Sequence, residues 1–110
     1  MSSKKNERVS ELVAHEAARF IALAASGQSL ITVTRALPSA KGERVTVFVS
    51  VFPESEEAPA LAFLARQRES FSDHLKAHAR IVPLPRVDFE IDLGEKHRRR
   101  LEELGGPGGN

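Results

Sequence analysis

Apolar residues recur at spacings of three and four along the N-terminal part of the chain: Val9, Leu12, Val13, Ala17, Phe20, Ile21 and Ala24. That period lines one face of a helix and predicts an amphipathic α-helix over about residues 7–25, with Asn6 as its cap and Gly27 just past its end. The β-branched run Leu30-Ile31-Thr32-Val33-Thr34-Arg35-Ala36 reads as a strand, and Leu37 to Gly42 as a hairpin loop. The period then becomes two in Arg44-Val45-Thr46-Val47-Phe48-Val49-Ser50-Val51-Phe52. Val45, Val47, Val49 and Val51 share one face, which must bury against helices, while Arg44, Thr46, Phe48, Ser50 and Phe52 share the half-polar other face. Pro53 ends this strand.

Ala58 to Ala65 opens a second helix, with Ser55 or nearby acids covering its free amides and Pro59 tolerated in the first turn. A break is expected near Glu69-Ser70, where Ser70-Phe71-Ser72-Asp73 fits a capping box. The third helix carries Phe71, Leu75 and Ala79 inward to about Arg80, and Pro83 and Pro85 stop it. Val87-Asp88-Phe89-Glu90-Ile91-Asp92-Leu93 alternates strictly, which predicts a half-buried third strand with an acidic outer face. Gly94 ends it, Glu95 to Leu104 can form a short charged helix, and Gly105 to Asn110 has no packing side chains.

The expected order is αββααβ. Helices packed on one face of a three-stranded mixed sheet make a two-layer α+β domain. Strands two and three are joined through two helices, so a right-handed crossover places them parallel. This is the type II KH-like arrangement, and KH modules commonly bind RNA.

At 110 residues, 28% charged and 41% hydrophobic, the chain suits one soluble globular domain, expected over 5–104 with flexible tails at 1–4 and 105–110. It has no cysteine, which excludes disulfide staples and thiolate metal sites. The polar start leads into no apolar segment, and no apolar run approaches the roughly 18 residues of a membrane span, so a cytoplasmic monomer with no membrane association is expected.

The net charge of +1 conceals an uneven distribution. Arg66, Arg68, Lys76, Arg80 and Arg86 gather around the corner between the second and third helices, and Lys41 and Arg44, with Arg35, flank the hairpin. Each of these cations can neutralise a phosphate, and arginine can also fork onto one bidentately. The alternative for the corner is surface pairing of Arg66 and Arg80 with Glu69 and Asp73, worth at most about 1 kcal/mol, and for Arg35, Lys41 and Arg44 it is solvent exposure alone. Lys96-His97-Arg98-Arg99-Arg100 has two readings as well: a basic RNA-binding extension, or a helix end whose arginines pair with Glu95, Glu102 and Glu103. Phe48 is either a platform for a base or a packing partner for the first strand. With no Trp or Tyr in the chain, stacking cannot be the main source of affinity.

No catalytic signature, phosphate-binding loop or dinucleotide fingerprint occurs in the sequence, and no cofactor is expected. His74 and His78, four apart on the third helix, amount to half a zinc site with no evident completion. Asp88, Glu90 and Asp92 form a carboxylate row that reads as a solvated sheet face. Three rival readings of the function stay open on the residues: a general RNA-binding module whose target the sequence does not name, a protein-interaction domain using the acidic face or an exposed sheet edge, and a small RNA-cleaving enzyme built on His74 or His78.

Taken in order, several segments resemble the ribosome-binding factor A family over about residues 5–104. They are Glu7-Arg8-Val9 opening the first helix, Leu30-Ile31-Thr32-Val33-Thr34 before the hairpin, and Glu43-Arg44-Val45-Thr46-Val47-Phe48-Val49-Ser50-Val51 as the long second strand. Pro85-Arg86-Val87-Asp88-Phe89 is similar to the family's proline-led third strand, and Arg100-Leu101-Glu102-Glu103-Leu104 to its closing segment. The resemblance implies a non-enzymatic assembly factor that binds the immature small (30S) ribosomal subunit and its rRNA, assists maturation of 16S rRNA, and leaves before translation. Two features depart from the family. Its Ala-x-Gly kink between helices is absent, since no glycine occurs between Gly42 and Gly94, and the connection Ser26-Gly27-Gln28-Ser29 is short and lacks the family's acidic, proline-containing character. With no backbone clamp of the Gly-x-x-G kind, side chains must make the RNA contact.

Overall fold

In the computed structural model, which describes residues 3–24 and 29–104, eight segments follow one another. They are α1 (Lys4–Ala24), β1 (Leu30–Pro38), β2 (Arg44–Phe52), a 3₁₀ turn (Glu54–Glu56), α2 (Glu57–Arg66), α3 (Arg68–His78), β3 (Arg86–Ile91) and α4 (Leu93–Glu103). The sheet order is β1-β2-β3, with β1 antiparallel and β3 parallel to β2. This is the expected open, KH-like α+β fold with a mixed sheet, extended by α4. The expected Gly27 cap and most of the short connection lie outside the described residues.

The valine row organises the core. Val45, Val47, Val49 and Val51 are fully buried against Val13, Ala17 and Ile21 of α1, Leu64 of α2, and Phe71 and Leu75 of α3. Burying a side chain of this size stabilises the fold by about 1.5–3 kcal/mol, so the central strand fixes the register of the rest. Leu12, expected on the inner stripe, lies at its margin and is 37% exposed. β1 bulges at Thr34, where the register with β2 shifts between Val33 and Arg35.

Four local expectations are corrected. The first helix begins at Lys4, and Ser3 replaces Asn6 as its cap, its Oγ accepting the Asn6 N–H at 3.1 Å. Asn6 instead packs its amide against Gly42, which has φ +73°; a Cβ at Gly42 would collide with that amide. The corner between α2 and α3 falls at Gln67, not at Glu69-Ser70. Its N–H bonds back to Phe63 and Leu64 while its carbonyl accepts the Phe71 N–H at 2.8 Å, so one residue at φ −91°, ψ 3° ends one helix and starts the next. Such a bridge conformation is open to residues with side chains, which explains how the corner forms without glycine. Ser70 lies inside α3, where no free helix-end amide remains for it to cap.

The third helix stops at His78, because Ala79 is extended at φ −136°, ψ 146°. The fourth correction concerns Asp92. Rather than standing on a solvated acidic face, it is 4% exposed. One carboxylate oxygen accepts the Glu95 N–H at 3.0 Å and so caps α4; the other accepts from Thr34 Oγ1 at 2.6 Å and Arg35 Nε at 3.3 Å. Burial alone would raise its pKa, but these hydrogen bonds and the Arg35 charge more than offset that and lower it.

Candidate nucleic-acid interface

β2 and β3 start side by side, and their parallel register pairs Arg44 with Arg86. Both arginines are exposed, and neither has an ion-pair partner among the described residues. The backbone beneath them is fixed: Ser39 Oγ accepts the Arg44 N–H at 3.1 Å, and Glu43 O accepts the Arg86 N–H at 2.9 Å. Adjacent strands lie about 4.8 Å apart, and like charges set directly opposite one another oppose sheet formation. An anion between the two guanidinium groups would reverse that effect.

Arg86 also lines a groove of about 290 Å³ between α3 and β3, together with Arg68, Glu69, Ser72, Pro85 and Val87. Arg68 and Ser72, one helical turn apart, both reach this groove, beside the core-facing Phe71 and Leu75. At the neighbouring hairpin, Lys41 and Arg44 share a shallow depression with Ser39, Ala40 and Glu43. Lys41 also borders a second hollow with Lys5 and Asn6 of α1.

The structure thus brings together Arg68, Arg86, Arg44 and Lys41 around the starts of the parallel strands. Arg66, Lys76 and Arg80 are not among the residues lining the groove. The pairing of Arg66 and Arg80 with Glu69 and Asp73 is not formed. Arg68 is the cation of the set that carries a partner: its Nη1 donates to Asp88 Oδ1 at 2.9 Å. Lys5 joins the basic end although its local sequence offered no sign of it; only the helix-to-hairpin contact at Gly42 brings it there.

Other candidate features are drawn into the framework. Lys96 bonds Glu57 at 3.0 Å and lies 3.8 Å from Glu54, Arg100 bonds Glu54 at 3.1 Å, and Arg98 pairs with Glu95. Two residues of the C-terminal basic run, Lys96 and Arg100, therefore hold α4 against the 3₁₀ turn and α2, while Arg98 pairs within α4 with Glu95 and none of these pairs uses Glu102 or Glu103. Arg35 lies 4.3 Å over the Phe48 ring, its register neighbour, so Phe48 packs across to β1.

His74 faces α1, where its Nε2–H donates to the buried Glu16 Oε1 at 2.8 Å, and His78 stacks on it at 4.2 Å between ring centroids. Burial would raise the Glu16 pKa, but the His74 hydrogen bond and the charges of Arg19, His74 and His15 lower it. Among the described residues no three His, Cys, Asp or Glu side chains converge as a metal site, and no helix is long and apolar enough to cross a membrane.

A comparison with family models and a search of curated proteins found no match. Solved structures do match. Ribosome-binding factor A from Thermus thermophilus superposes with a TM-score of 0.68 at 26% identity, over 76% of this chain and 91% of that one. A Thermotoga maritima protein described as a candidate ribosome binding factor A superposes with a TM-score of 0.56 at 17% identity, over 76% of this chain and 78% of that one, and supports the fold alone.

Proposed function

We propose that this chain, ribosome-binding factor A-like in structure, is a ribosome-associated RNA-binding protein. It acts on the immature small subunit, assists maturation of 16S rRNA, and leaves before translation, working as a cytoplasmic monomer without catalysing a reaction. The structural likeness supports ribosome association. The observation that carries the RNA contact is the register pairing of Arg44 with Arg86 at the strand starts, two exposed arginines on adjacent strands with no ion-pair partner among the described residues.

A phosphate lodged between them accepts forked, charge-assisted hydrogen bonds from both. Arg68 across the groove and Lys41 in the hairpin extend the contact to further phosphates, with Lys5 beside Lys41. Without a glycine cradle or exposed Trp and Tyr, recognition reads phosphate positions and RNA shape. A protein that binds one RNA conformer better than another shifts that equilibrium by its differential affinity, which is all that such an assembly factor requires.

The test is co-sedimentation with free small subunits across a salt series. Arg44→Glu/Arg86→Glu is expected to abolish association at moderate salt and to reduce the slope of log K against log salt by about 0.7–0.9 for each lost phosphate contact. Arg66→Glu, outside the groove, is expected to have the smaller effect. Wild-type co-sedimentation of the double variant at every salt concentration would refute the assignment of the strand starts.

A further inference from the structure

Asp88 occupies an unusual place in this interface. β3 alternates, so Val87 faces the core with its register partner Val45, while Arg86 and Asp88 share the opposite face with Arg44 and Thr46. Arg68 comes from α3, on the helix-packed side. Since β3 is the last strand of the sheet, the 2.9 Å bond between Arg68 and Asp88 reaches around its free edge at the side of the groove. The carboxylate therefore holds one arginine directly and stands on the same strand face as Arg86, two residues away. Its charge and its acceptor oxygens are those a phosphate would bring.

We propose that Asp88 is the specificity-setting residue of the RNA interface, an internal stand-in for phosphate that reserves Arg68 for ligands able to displace it. The inference rests on the RNA-binding reading above. A flexible polyanion that offers a single phosphate to Arg68 merely exchanges one anion for another and meets the freed carboxylate as a repulsive neighbour. An RNA that also seats phosphates at Arg44 and Arg86 gains enough elsewhere to displace it. Selectivity built this way uses a repulsive element against the wrong ligand as well as attraction to the right one.

Charge alone does not identify Asp88, so the control is Glu90. It is exposed on the same strand, two residues further along, and has no ion-pair partner among the described residues. Asp88→Asn and Glu90→Gln change the net charge equally and nearly preserve side-chain volume. Binding of heparin and of a folded small-subunit rRNA fragment is measured on the full chain across salt. Further variants are Arg68→Gln and the Arg68→Gln/Asp88→Asn pair.

Asp88→Asn is expected to tighten heparin binding by about two- to fivefold, the scale of one exposed ion pair, and to steepen the salt slope by up to about 0.9. Glu90→Gln is expected to give a smaller gain, and the Asp88→Asn gain is expected to vanish when Arg68 is already Gln. The preference for folded rRNA over heparin falls accordingly. Equal gains from Asp88→Asn and Glu90→Gln, or a gain that survives Arg68→Gln, would overturn the proposal. If wild-type protein binds heparin but not the rRNA fragment, the functional reading fails while the heparin series still decides whether Asp88 holds Arg68 against polyanions.

Discussion

Helices α1 and α4 are attached to the same body by opposite means. α1 buries Val13, Ala17 and Ile21 against the valine row, and its Phe20 meets Phe71 of α3 at 5.3 Å between ring centroids. α4 buries none of its own residues. The capping carboxylate of Asp92 and the pairs from Lys96 and Arg100 to Glu57 and Glu54 hold it, while Leu93, Leu101 and Leu104 are 61%, 59% and 85% exposed. Each buried aliphatic side chain contributes about 1.5–3 kcal/mol, and a partly exposed ion pair at most about 1 kcal/mol. The difference separates global stability, which belongs to the α1–α3 seam and sheet, from local opening, which belongs to α4.

The largest effect is expected inside the apolar region. Phe71 is fully buried and packs on Phe20, His74 and Phe89. Phe71→Ala removes the ring from the junction of α1, α3 and β3 and should lower the unfolding free energy by about 3–5 kcal/mol, read from the shift of the urea midpoint at constant slope. A loss below about 1 kcal/mol would show that this seam does not dominate stability.

Asp92 joins the two regions. Asp92→Ala strips the Glu95 amide, the Thr34 hydroxyl and Arg35 of their common acceptor, at a cost of about 2 kcal/mol for hydrogen bonds to a buried charge. Amide exchange should accelerate first in α4 and only later in β2. Uniform acceleration across both would mean that α4 and the sheet open as one unit.

The contrast also explains what was legible in the sequence. The valine alternation predicted β2 as Arg44–Phe52 and its buried face, because period-two burial is a local pattern with one structural solution. The parallel third strand followed from the intervening helices. The burial of Asp92 and its contacts with Thr34 and Arg35 were not legible, since those partners lie 58 and 57 residues away in the chain. Its cap on the Glu95 amide, three residues on, is a local pattern that the strict alternation of the third strand masked. Distance along the chain also hid Asp88 under Arg68 and Lys5 beside Lys41. At the corner, Ser70-x-x-Asp73 has the form of a capping box, yet Gln67 turns the chain one turn earlier and leaves that box no free amide. Candidate cations could be read from the sequence; which of them meet, and which are already neutralised, depends on contacts between elements.

Acid should probe the same division. Both Asp92 and Glu16 have pKa values below those of the free carboxyls in the folded chain, burial being more than offset by their hydrogen bonds and neighbouring cations. A carboxyl whose folded pKa is depressed contributes stability that is present above its unfolded value, near 4, and lost as pH falls through the folded value. Stability should therefore decline below about pH 4. Asp92→Asn should flatten part of that decline, and Glu16→Gln another part. An unchanged acid limb in both variants would exclude these two groups as its source.

The smallest effect, and the sharpest test of the contrast, is at Lys96. Its side chain is 17% exposed and that of Glu57 18% exposed, so the pair is better shielded than Arg100 with Glu54, at 54% and 47%. Lys96→Ala should cost α4 about 1 kcal/mol or less of local stability and leave the urea midpoint of the core nearly unchanged. Raising salt from 0.1 M to 1 M shortens the screening length from about 10 Å to about 3 Å. In the wild type, α4 amides should exchange faster as salt rises, those of α1 and β2 should not, and in Lys96→Ala the salt response of α4 should shrink. Salt-independent protection of α4 would show that its exposed leucines hold it after all, and the division between an apolar seam and a charged one would have to be redrawn.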